Sequence, residues 1–482
     1  MRASVPVLVL LVAVLSSVAA FGQADKSVQL TLYPAAVSKP ALRYKLLPPF
    51  LERRPGNAAV WWNRIPAEQT YFFREFYKEN GPYEKLWKWQ EMPLNDPAAK
   101  EYFKKEITGN DLGMIRPMQI YSDMTRAAQF ESCDWELPVR EGNALAVLLP
   151  EAQQLRSYAR MLSLKARLEI SEGKYGEAVR TLQVGYSLAR HATQGETIVH
   201  ALIGATIASI MSNEVRQWQQ QSDAPNLYWA LSTLPQPLLN FRLGGEFESN
   251  GLFLHFPELR DIDKKQLSPE GWRDLLDKMA VSLAFLNSSG NGEAMKNIVR
   301  RQGIRAILCG YPRAKRYLVE RGRSAQEVEA MPVPQATLLY VVDAYQELSD
   351  EQFKWFFLPY ADGIAQRIRD SRQLWEAENR EIAPLASILL PAVEAFKRAE
   401  VRLQWDFAML RIFEALRLYA ASHNGQWPDQ LSDITEVPIP LNPHDNKPFI
   451  YERHGDKALL TVEYGPVATP WRQEITFARK DK

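Results

Sequence analysis

The sequence predicts a mainly α-helical protein. We expect an irregular, α-solenoid-like body of helical hairpins, with a small C-terminal α+β unit of one long helix and a three-stranded antiparallel sheet. Two observations predict this fold class. Apolar residues recur at three- and four-residue spacing over 144–221, as on the buried face of a helix. A long helical pattern over 391–422 is followed by short segments that alternate like strands.

The N-terminus has the pattern of a secretory signal peptide. Arg2 supplies a positive charge, 5–14 is apolar apart from one proline, and small residues stand before cleavage sites after Ala20 and Ala24. This apolar stretch is shorter than the roughly 20 residues that a spanning helix needs. We therefore expect export to the periplasm or cell envelope through this signal peptide, and no stable membrane span after its cleavage.

Length and composition are those of a globular chain of more than one unit. The chain has 482 residues, of which 46% are hydrophobic and 24% charged. Its net charge of +1 argues against nucleic-acid binding, which relies on an excess of Lys and Arg. The predicted organisation is a signal peptide (1–24), an extended proline-rich segment (25–66), an α-helical domain (67–390) and the C-terminal unit (391–482).

The segment after the signal peptide is expected to wrap around the body. Residues 27–36 alternate like a short strand. Residues 39–62 carry four prolines, and proline interrupts both helices and strand ladders. The chain is expected to become continuously helical from about Ala67.

Within the body, glycine and serine mark the predicted helix ends. Gly173 stands where a left-handed C-cap would end one helix, and further helices are expected from Tyr175 and after Gly195. Ser268 precedes a proline that suits the first helical position. Ser324, with a glutamate three residues later, has capping-box spacing.

The apolar stretch 198–211 is expected to be a buried helix. It is too short to span a membrane. The small residues Gly204, Ala205 and Ala208 recur at helical spacing, which favours close packing against another helix.

One hairpin carries a resemblance to a repeat family. "ARLEISEGKYGEAVRTLQ" (166–183) resembles the turn of a tetratricopeptide repeat, with Gly173, Tyr175 and Ala178 at the matching positions. No second copy follows at the expected spacing of about 34 residues. The resemblance implies helical-hairpin packing rather than a peptide-binding array of repeats.

The C-terminal unit begins with the predicted helix and turns at "YAASHNGQWPDQL" (419–431). Gly425 is expected to end the helix and Trp427 to fix the exit of the chain. Strands are predicted at 447–452, 458–465 and 472–478, the first two joined by a hairpin turn at 454–457.

This layout resembles the globular domain of type II secretion pseudopilins. The matching residues are Tyr419, Gly425, Trp427, Pro428, Asn442, Pro443 and the strand 449–451. The sequence lacks the N-terminal methylated-Phe motif and the Asp-Gly-rich calcium loop of that family. The resemblance implies a link to a secretion or pilus-like assembly.

Taken whole, the chain resembles a large family of uncharacterised exported bacterial proteins. The shared marks include "PALRYKLLPP", "CDWELPVREG" and "APNLYWALSTLPQPLL". This resemblance implies export and a helical architecture, and it implies no activity.

The histidines and cysteines do not have the spacing of a metal site. No two histidines are three or four residues apart, as ligands on one helix would be. The six are His191, His200, His255, His423, His444 and His454. Cys133 and Cys309 are too few for a thiolate cluster, and they either form a disulfide or remain buried thiols. We predict no metal ligand and no cofactor.

One stretch places carboxylates near a histidine. Around Gly244-Gly245 lie Glu246, Glu248, His255 and Glu258, and a carboxylate pair with a histidine can serve acid–base chemistry. Glu246 and Glu248 would share a face in a strand but not in a helix. We favour a solvated loop here. The sequence contains no Gly-x-Ser-x-Gly elbow and no phosphate-binding loop, so no catalytic residue is predicted.

Charge is distributed unevenly along the second half of the chain. Nine basic residues and a single acid lie between Lys296 and Arg323, and seven acids and one base lie between Ser324 and Asp362. A basic stripe suits an anionic polymer or a membrane face. We favour the simpler interpretation, that the two stretches pack near each other or are solvated faces.

These observations favour an exported, non-catalytic helical scaffold or adaptor with another envelope protein as its partner. One alternative is an accessory component of a secretion or pilus-like system. A second alternative is an envelope hydrolase with an unrecognised site. A cleft formed by His423, Trp427 and His444 would favour a functional site at the C-terminal turn.

Overall fold

Helices form most of the protein, and a small sheet lies at its C-terminal end, as predicted. The computed structural model describes residues 29–116, 118–140, 150–286, 301, 308–358, 364–380, 393–462 and 471–478. The predicted signal peptide (1–24) lies outside the described residues.

The elements follow one another along the chain in this order. The N-terminal half contains β1 (Leu30–Leu32), β2 (Arg54–Asn57), α1 (Ala58–Glu68), α2 (Thr70–Phe76), α3 (Pro82–Gln90), α4 (Pro97–Glu106), α5 (Gly109–Gly113), α6 (Gln119–Ala128), β3 (Phe130–Ser132), α7 (Pro150–Ser171), α8 (Tyr175–Ala192), α9 (Ile198–Gln219) and α10 (Tyr228–Ser232). The rest contains α11 (Arg242–Ser249), α12 (Gly251–His255), α13 (Pro269–Leu286), α14 (Ala325–Ala330), α15 (Val333–Phe356), α16 (Ile364–Glu378), α17 (Val393–Ser422), β4 (Ile450–His454), β5 (Lys457–Val462) and β6 (Trp471–Phe477). Residues 308–320 are also helical.

The proline-rich segment gives way to helix earlier than predicted. Helix α1 starts at Ala58 rather than at about Ala67, because the Asn57 side chain caps it by accepting a hydrogen bond from the Ala59 amide (3.0 Å). Pro66 lies inside this helix. Before it, the chain forms β1, a 3₁₀ turn and β2, which pairs in parallel with β3.

The hairpin of α7 and α8 ends its first helix as predicted. Gly173 adopts φ +69°, and the chain closes with bonds from the Gly173 amide to the Ile170 carbonyl (3.0 Å) and from the Lys174 amide to the Glu169 carbonyl (2.8 Å). These are the two bonds of a Schellman motif, which satisfies carbonyls at the helix end. Ala178 is completely buried between the two helices.

Helix α9 lies at the centre of the body and packs against α7, α8, α11 and α17. The predicted close packing of α9 against another helix is present at Gly204. A Cβ at this position would lie 2.7 Å from the Ala189 carbonyl oxygen of α8, so the contact requires glycine. In the described part of the chain, α9 is the helix whose length and apolarity suffice to cross a membrane, and 78% of its most apolar window is buried inside the protein. That burial is characteristic of a core helix.

The C-terminal sheet contains the three predicted antiparallel strands and one more. Strands β4, β5 and β6 pair antiparallel, and β4 and β5 meet at a turn whose Gly455 has φ +64°. Strand β1, from the N-terminal segment, pairs in parallel with β6 and gives the order β1-β6-β5-β4. The C-terminal unit is thus completed by residues from the start of the described chain.

The turn after α17 has the predicted ending. Gly425 adopts φ +85°, and its amide donates to the Ala420 carbonyl (2.7 Å), which closes the helix. The Trp427 ring then stacks on Phe477 of β6, with ring centroids 4.3 Å apart. The indole therefore fixes the exit of the helix onto the sheet.

The acidic and basic stretches meet where the structure describes them. Lys315 contacts Glu329 (2.5 Å), and Arg321 pairs with Glu347 of α15. This supports packing of the two stretches against each other rather than a free basic stripe. The two thiols are free: Cys133 is buried, whereas Cys309 is exposed, so the expectation of two buried thiols holds for Cys133 alone.

Candidate binding cleft

A cleft of about 320 Å³ lies between α17 and two proline-rich segments of the chain. Its floor is one face of α17, formed by Glu400, Leu403, Gln404, Phe407, Ala408 and Arg411. One wall is the stretch 234–239 after α10, and the other is formed by 440, 441 and 443 of the C-terminal loop. The volume lies at the lower end of the usual range for ligand-binding clefts, so part of a longer ligand would remain outside it.

The floor residues lie on one face because of helical periodicity. Positions 400, 404, 407 and 411 are separated by three or four residues, which places them in a row along α17. Helix α17 holds this face outward because its opposite face is packed in the core, where Met409, Leu410 and Phe413 are completely buried. The floor is therefore rigid.

Apolar side chains form most of the middle of the cleft. Phe407 packs on Tyr186 of α8, with ring centroids 5.7 Å apart, and Leu403 is almost fully buried. At the rim, Leu441 remains half exposed. Covering the exposed half of this leucine contributes about 1 kcal/mol, so the rim can contribute to binding.

The two ends of the cleft floor carry opposite charges, Glu400 at one end and Arg411 at the other. Glu400 is already engaged, since its carboxylate accepts from Lys397 (2.7 Å), whose ammonium also donates to the Phe356 carbonyl (3.0 Å). Arg411 at the other end has a neutral oxygen as its hydrogen-bond partner within the described part of the chain, the Tyr228 hydroxyl at 3.5 Å. The cleft thus offers a cation at one end and a neutralised acid at the other.

The stretch with Glu246, Glu248, His255 and Glu258 is mostly helical rather than a loop. Residues 244–258 are not a solvated loop, because α11 and α12 are helices and α11 packs against α15. Gly245 permits this contact, since a Cβ there would lie 2.0 Å from the Phe356 ring. Glu246 is exposed and accepts from Arg242 (2.7 Å), whereas Glu248 is buried. The helical conformation has therefore separated the two carboxylates.

Glu248 and His255 border the same small space beside Gly251. A Cβ at Gly251 would lie 4.0 Å from Glu248 Oε2 and 3.7 Å from His255 Nε2. Burial raises the pKa of Glu248 to about 8 and lowers the pKa of His255 to about 4. Both groups are thus uncharged near neutral pH. Glu258 lies beyond them on a 3₁₀ turn.

His191 and His200 are structural. His191 is buried and accepts from Trp62 Nε1 at Nδ1 (3.0 Å), while its Nε2 faces the Phe130 carbonyl (2.8 Å). These partners fix the neutral tautomer with the proton on Nε2, and burial lowers the pKa of His191 to about 4. His200 contacts the Thr197 hydroxyl (2.9 Å) at the start of α9.

His423 and Trp427 pack against different partners. His423 stacks on Tyr419, with ring centroids 3.9 Å apart, while Trp427 is buried on the sheet. His444 lies in the loop before β4, and His454 is exposed at the hairpin turn. Among the residues that the structure describes, no three His, Cys, Asp or Glu side chains are grouped so as to hold a metal ion.

A second group of buried charges lies deep in the body. Arg167 and Glu214 are completely buried with 3.8 Å between Nη1 and Oε2, and Glu214 also accepts from Ser163 (2.9 Å) and Gln90 (3.1 Å). Burial raises the pKa of Glu214, and the nearby guanidinium opposes that change. Because neither charged side chain is exposed, this cluster joins α3, α7 and α9 rather than facing a ligand.

The sequence predicted the long helix that is α17 but not the cleft. A signal was available in the two Pro-x-Pro segments, "PQP" (235–237) and "PIP" (438–440), which lie far apart in the sequence. Each interrupts regular structure; all of the first segment lines one wall, and Pro440 of the second begins the other. Arg411 carried no signal of its own, because a lone arginine on a helix usually faces solvent.

Comparison with known proteins adds no assignment. No family model matches the chain, and no curated protein or solved structure matches it.

Proposed function

We propose that the protein is an exported, non-catalytic scaffold or adaptor of the cell envelope, and that it binds another envelope protein in the cleft along α17. The observation that carries this proposal is the cleft itself. It combines an apolar floor on a rigid helix with an exposed apolar rim at Leu441. A cleft lined mainly by apolar side chains with a few polar groups is typical of a binding site.

The charged groups that the structure describes support a non-catalytic role. Arg167, Glu214, Glu414 and Arg417 are buried in ion pairs, and Glu400 of the cleft is engaged by Lys397. A general base has to reach a substrate from an accessible position. Glu214 and Glu414 instead connect helices, through Gln90 of α3 and Gln219 of α9.

Removal of the predicted signal peptide is compatible with the position of β1. Cleavage after Ala20 or Ala24 would leave Leu30–Leu32 near the new N-terminus, where β1 is needed to complete the sheet. Mass spectrometry of the protein purified from the envelope fraction should find a mature N-terminus at Phe21 or Asp25. An uncleaved chain recovered from the cytosol would refute export.

Photo-crosslinking in the native cell tests the adaptor role. A photoreactive amino acid at Leu441 should give a discrete crosslinked partner, because this position lies at the rim of the cleft. The matched control is Val60 on α1, an apolar residue of similar exposure outside the cleft. The same adducts from both positions, or none from Leu441, would count against binding in the cleft.

An accessory role in a secretion or pilus-like system is the second candidate. It is supported by the long helix α17, followed by the Trp427–Phe477 stack and the antiparallel strands β4–β6, which is the order of elements in pseudopilin domains. Strand β4 is an edge of the sheet and exposes Ile450. Ile450→Lys should then impair release of secreted proteins, and normal secretion by this variant would remove the candidate.

A further inference from the structure

Arg411 is a cation that lacks a carboxylate partner within the described residues. It lines the cleft, and its Nε is buried with no hydrogen-bond acceptor there. Its remaining contacts are the Tyr228 hydroxyl (3.5 Å) and the Tyr228 ring, whose centroid is 5.6 Å from Cζ. A guanidinium that lines a cleft without a carboxylate partner among the described residues favours an incoming anion.

The opposite end of the floor sets the length of the ligand. Glu400 and Arg411 are eleven positions apart, which corresponds to about 16 Å along a helix that rises about 1.5 Å per residue. An extended peptide advances about 3.3 Å per residue, so about five residues fill this distance. Glu400 is occupied by Lys397 and does not compete for Arg411.

The walls determine how such a ligand is held. Pro235, Pro237, Pro440 and Pro443 have no amide hydrogen, so these positions offer carbonyl acceptors but no backbone donors. A ligand therefore cannot add to them as a strand that exchanges hydrogen bonds in both directions. Its anionic group has to be bound by a side chain, and Arg411 is placed to do so.

The polar side chains along the cleft favour a peptide over an acyl chain. Gln236 on one wall and Gln404 on the floor each carry an amide that both donates and accepts. A hydrocarbon chain lying over them would remove water and leave these amides unpaired. Peptide groups can satisfy them, while apolar side chains of the same peptide bury against Leu403 and Phe407.

We propose that the cleft captures the C-terminal end of an apolar peptide, with the terminal carboxylate bound by Arg411. This inference rests on the proposed adaptor function and specifies the chemistry of its partner. Capture of a terminal carboxylate is a known mode of peptide recognition. The partner would therefore be a protein whose last residues are apolar and extended.

A pair of peptides tests the carboxylate directly. The probes are a fluorescently labelled pentapeptide of alternating leucine and alanine with a free C-terminal carboxylate, and the same peptide with a C-terminal amide. Fluorescence anisotropy with the full mature protein should show tighter binding of the free acid, by about tenfold or more, which is the range expected for a charge-assisted hydrogen bond. In Arg411→Met the two peptides should bind equally weakly.

The control variant is Arg398→Met, which removes the same charge from an exposed position on α17 outside the cleft. It should keep the preference for the free acid. Circular dichroism and a thermal melt of each variant show that it is folded. Binding of acid and amide with equal affinity, or of neither, overturns the proposal, as does loss of the preference in Arg398→Met.

Two further outcomes separate this inference from the function on which it rests. If Leu441 crosslinks to a partner but the peptides do not differ, the adaptor function stands and the carboxylate inference fails. If decanoate binds with a dependence on Arg411 and neither peptide binds, the cleft takes an acyl carboxylate and the peptide proposal is wrong. If Leu441 gives no partner although the free acid binds preferentially, the adaptor function fails and the site still recognises a carboxylate.

Discussion

The carboxylate of Glu414 and the guanidinium of Arg417 form a completely buried ion pair on α17, 2.9 Å between Oε2 and Nη1. Arg417 also donates to the Tyr33 carbonyl (3.1 Å) and to the Ala224 carbonyl (2.7 Å). One side chain thus joins the N-terminal segment, the chain after α9 and the C-terminal helix. A buried charge of this kind is tolerated only because its hydrogen bonds are made.

Removal of Arg417 should therefore be strongly destabilising. We expect Arg417→Met to lower the free energy of unfolding by about 3–5 kcal/mol, because it leaves the Glu414 carboxylate buried without a cation. The double variant Glu414→Leu/Arg417→Met should lose less than the sum of the two single losses. Urea unfolding followed by circular dichroism measures this, and additive losses would contradict the coupling.

Replacement of His191 should destabilise the contact between α1, β3 and α8. In His191→Phe the Trp62 indole N–H and the Phe130 carbonyl both lose their partner, at about 1–3 kcal/mol for each buried group. The control His454→Phe changes an exposed histidine at the hairpin turn and should have little effect. Thermal melts of the two variants should differ clearly, and equal melting temperatures would argue against the assigned role.

Glu248 should make stability depend on pH in a defined direction. Its pKa is raised from 4.5 to about 8 in the folded protein, so the folded state keeps a proton that the unfolded state has lost between these values. The stabilising contribution is therefore complete below about pH 4.5, and it is lost as the pH rises towards about 8, with a limiting slope of about 1.4 kcal/mol per pH unit.

The variant Glu248→Gln isolates this dependence. His191 and His255, whose pKa values are lowered to about 4, change stability in the opposite direction between about pH 4 and 6.5, but they are present in both proteins and cancel in the difference. We expect the free energy of unfolding of wild type minus that of the variant to fall as pH rises from 5 to 8. A difference independent of pH would show that Glu248 is not held protonated.

Two glycines should respond oppositely to alanine. At Gly204 an added Cβ would lie 2.4 Å from Thr193 Cγ2 and 2.7 Å from a backbone carbonyl of α8, so Gly204→Ala should cost about 1–3 kcal/mol. Gly176 is exposed in α8 with no atom within 4 Å of its added Cβ, and Gly176→Ala should stabilise by about 0.4–1 kcal/mol. Chemical denaturation of both variants gives the comparison.

Local signals account for the parts of the fold that the sequence predicted. Gly173 ended its helix, and Ser324 and Glu327 formed the expected capping box, because these conformations depend on a few neighbouring residues. The three antiparallel C-terminal strands were predictable for the same reason, since a tight turn at 455–456 joins the first two. Asn57 was not predicted as a cap because it follows Pro55 at the end of a segment with four prolines.

Non-local features were not predictable in this way. No property of Leu30–Leu32 indicates that its partner is β6, because parallel pairing across the chain leaves no local pattern. The burial of Glu248 likewise depends on the packing of α11 on α15. The cleft combines segments from three distant parts of the sequence. The prolines of its walls can be read from the sequence, but the contact between these distant segments cannot.

The parallel pairing of β1 with β6 has a consequence for biosynthesis. Leu30–Leu32 is made early, whereas its partner Ile475–Phe477 leaves the ribosome only after nearly all the intervening chain. Throughout that interval the nascent polypeptide carries an unpaired apolar strand, the kind of edge that invites aggregation. The sheet therefore cannot be completed until the last strand is available, in whichever compartment the chain folds.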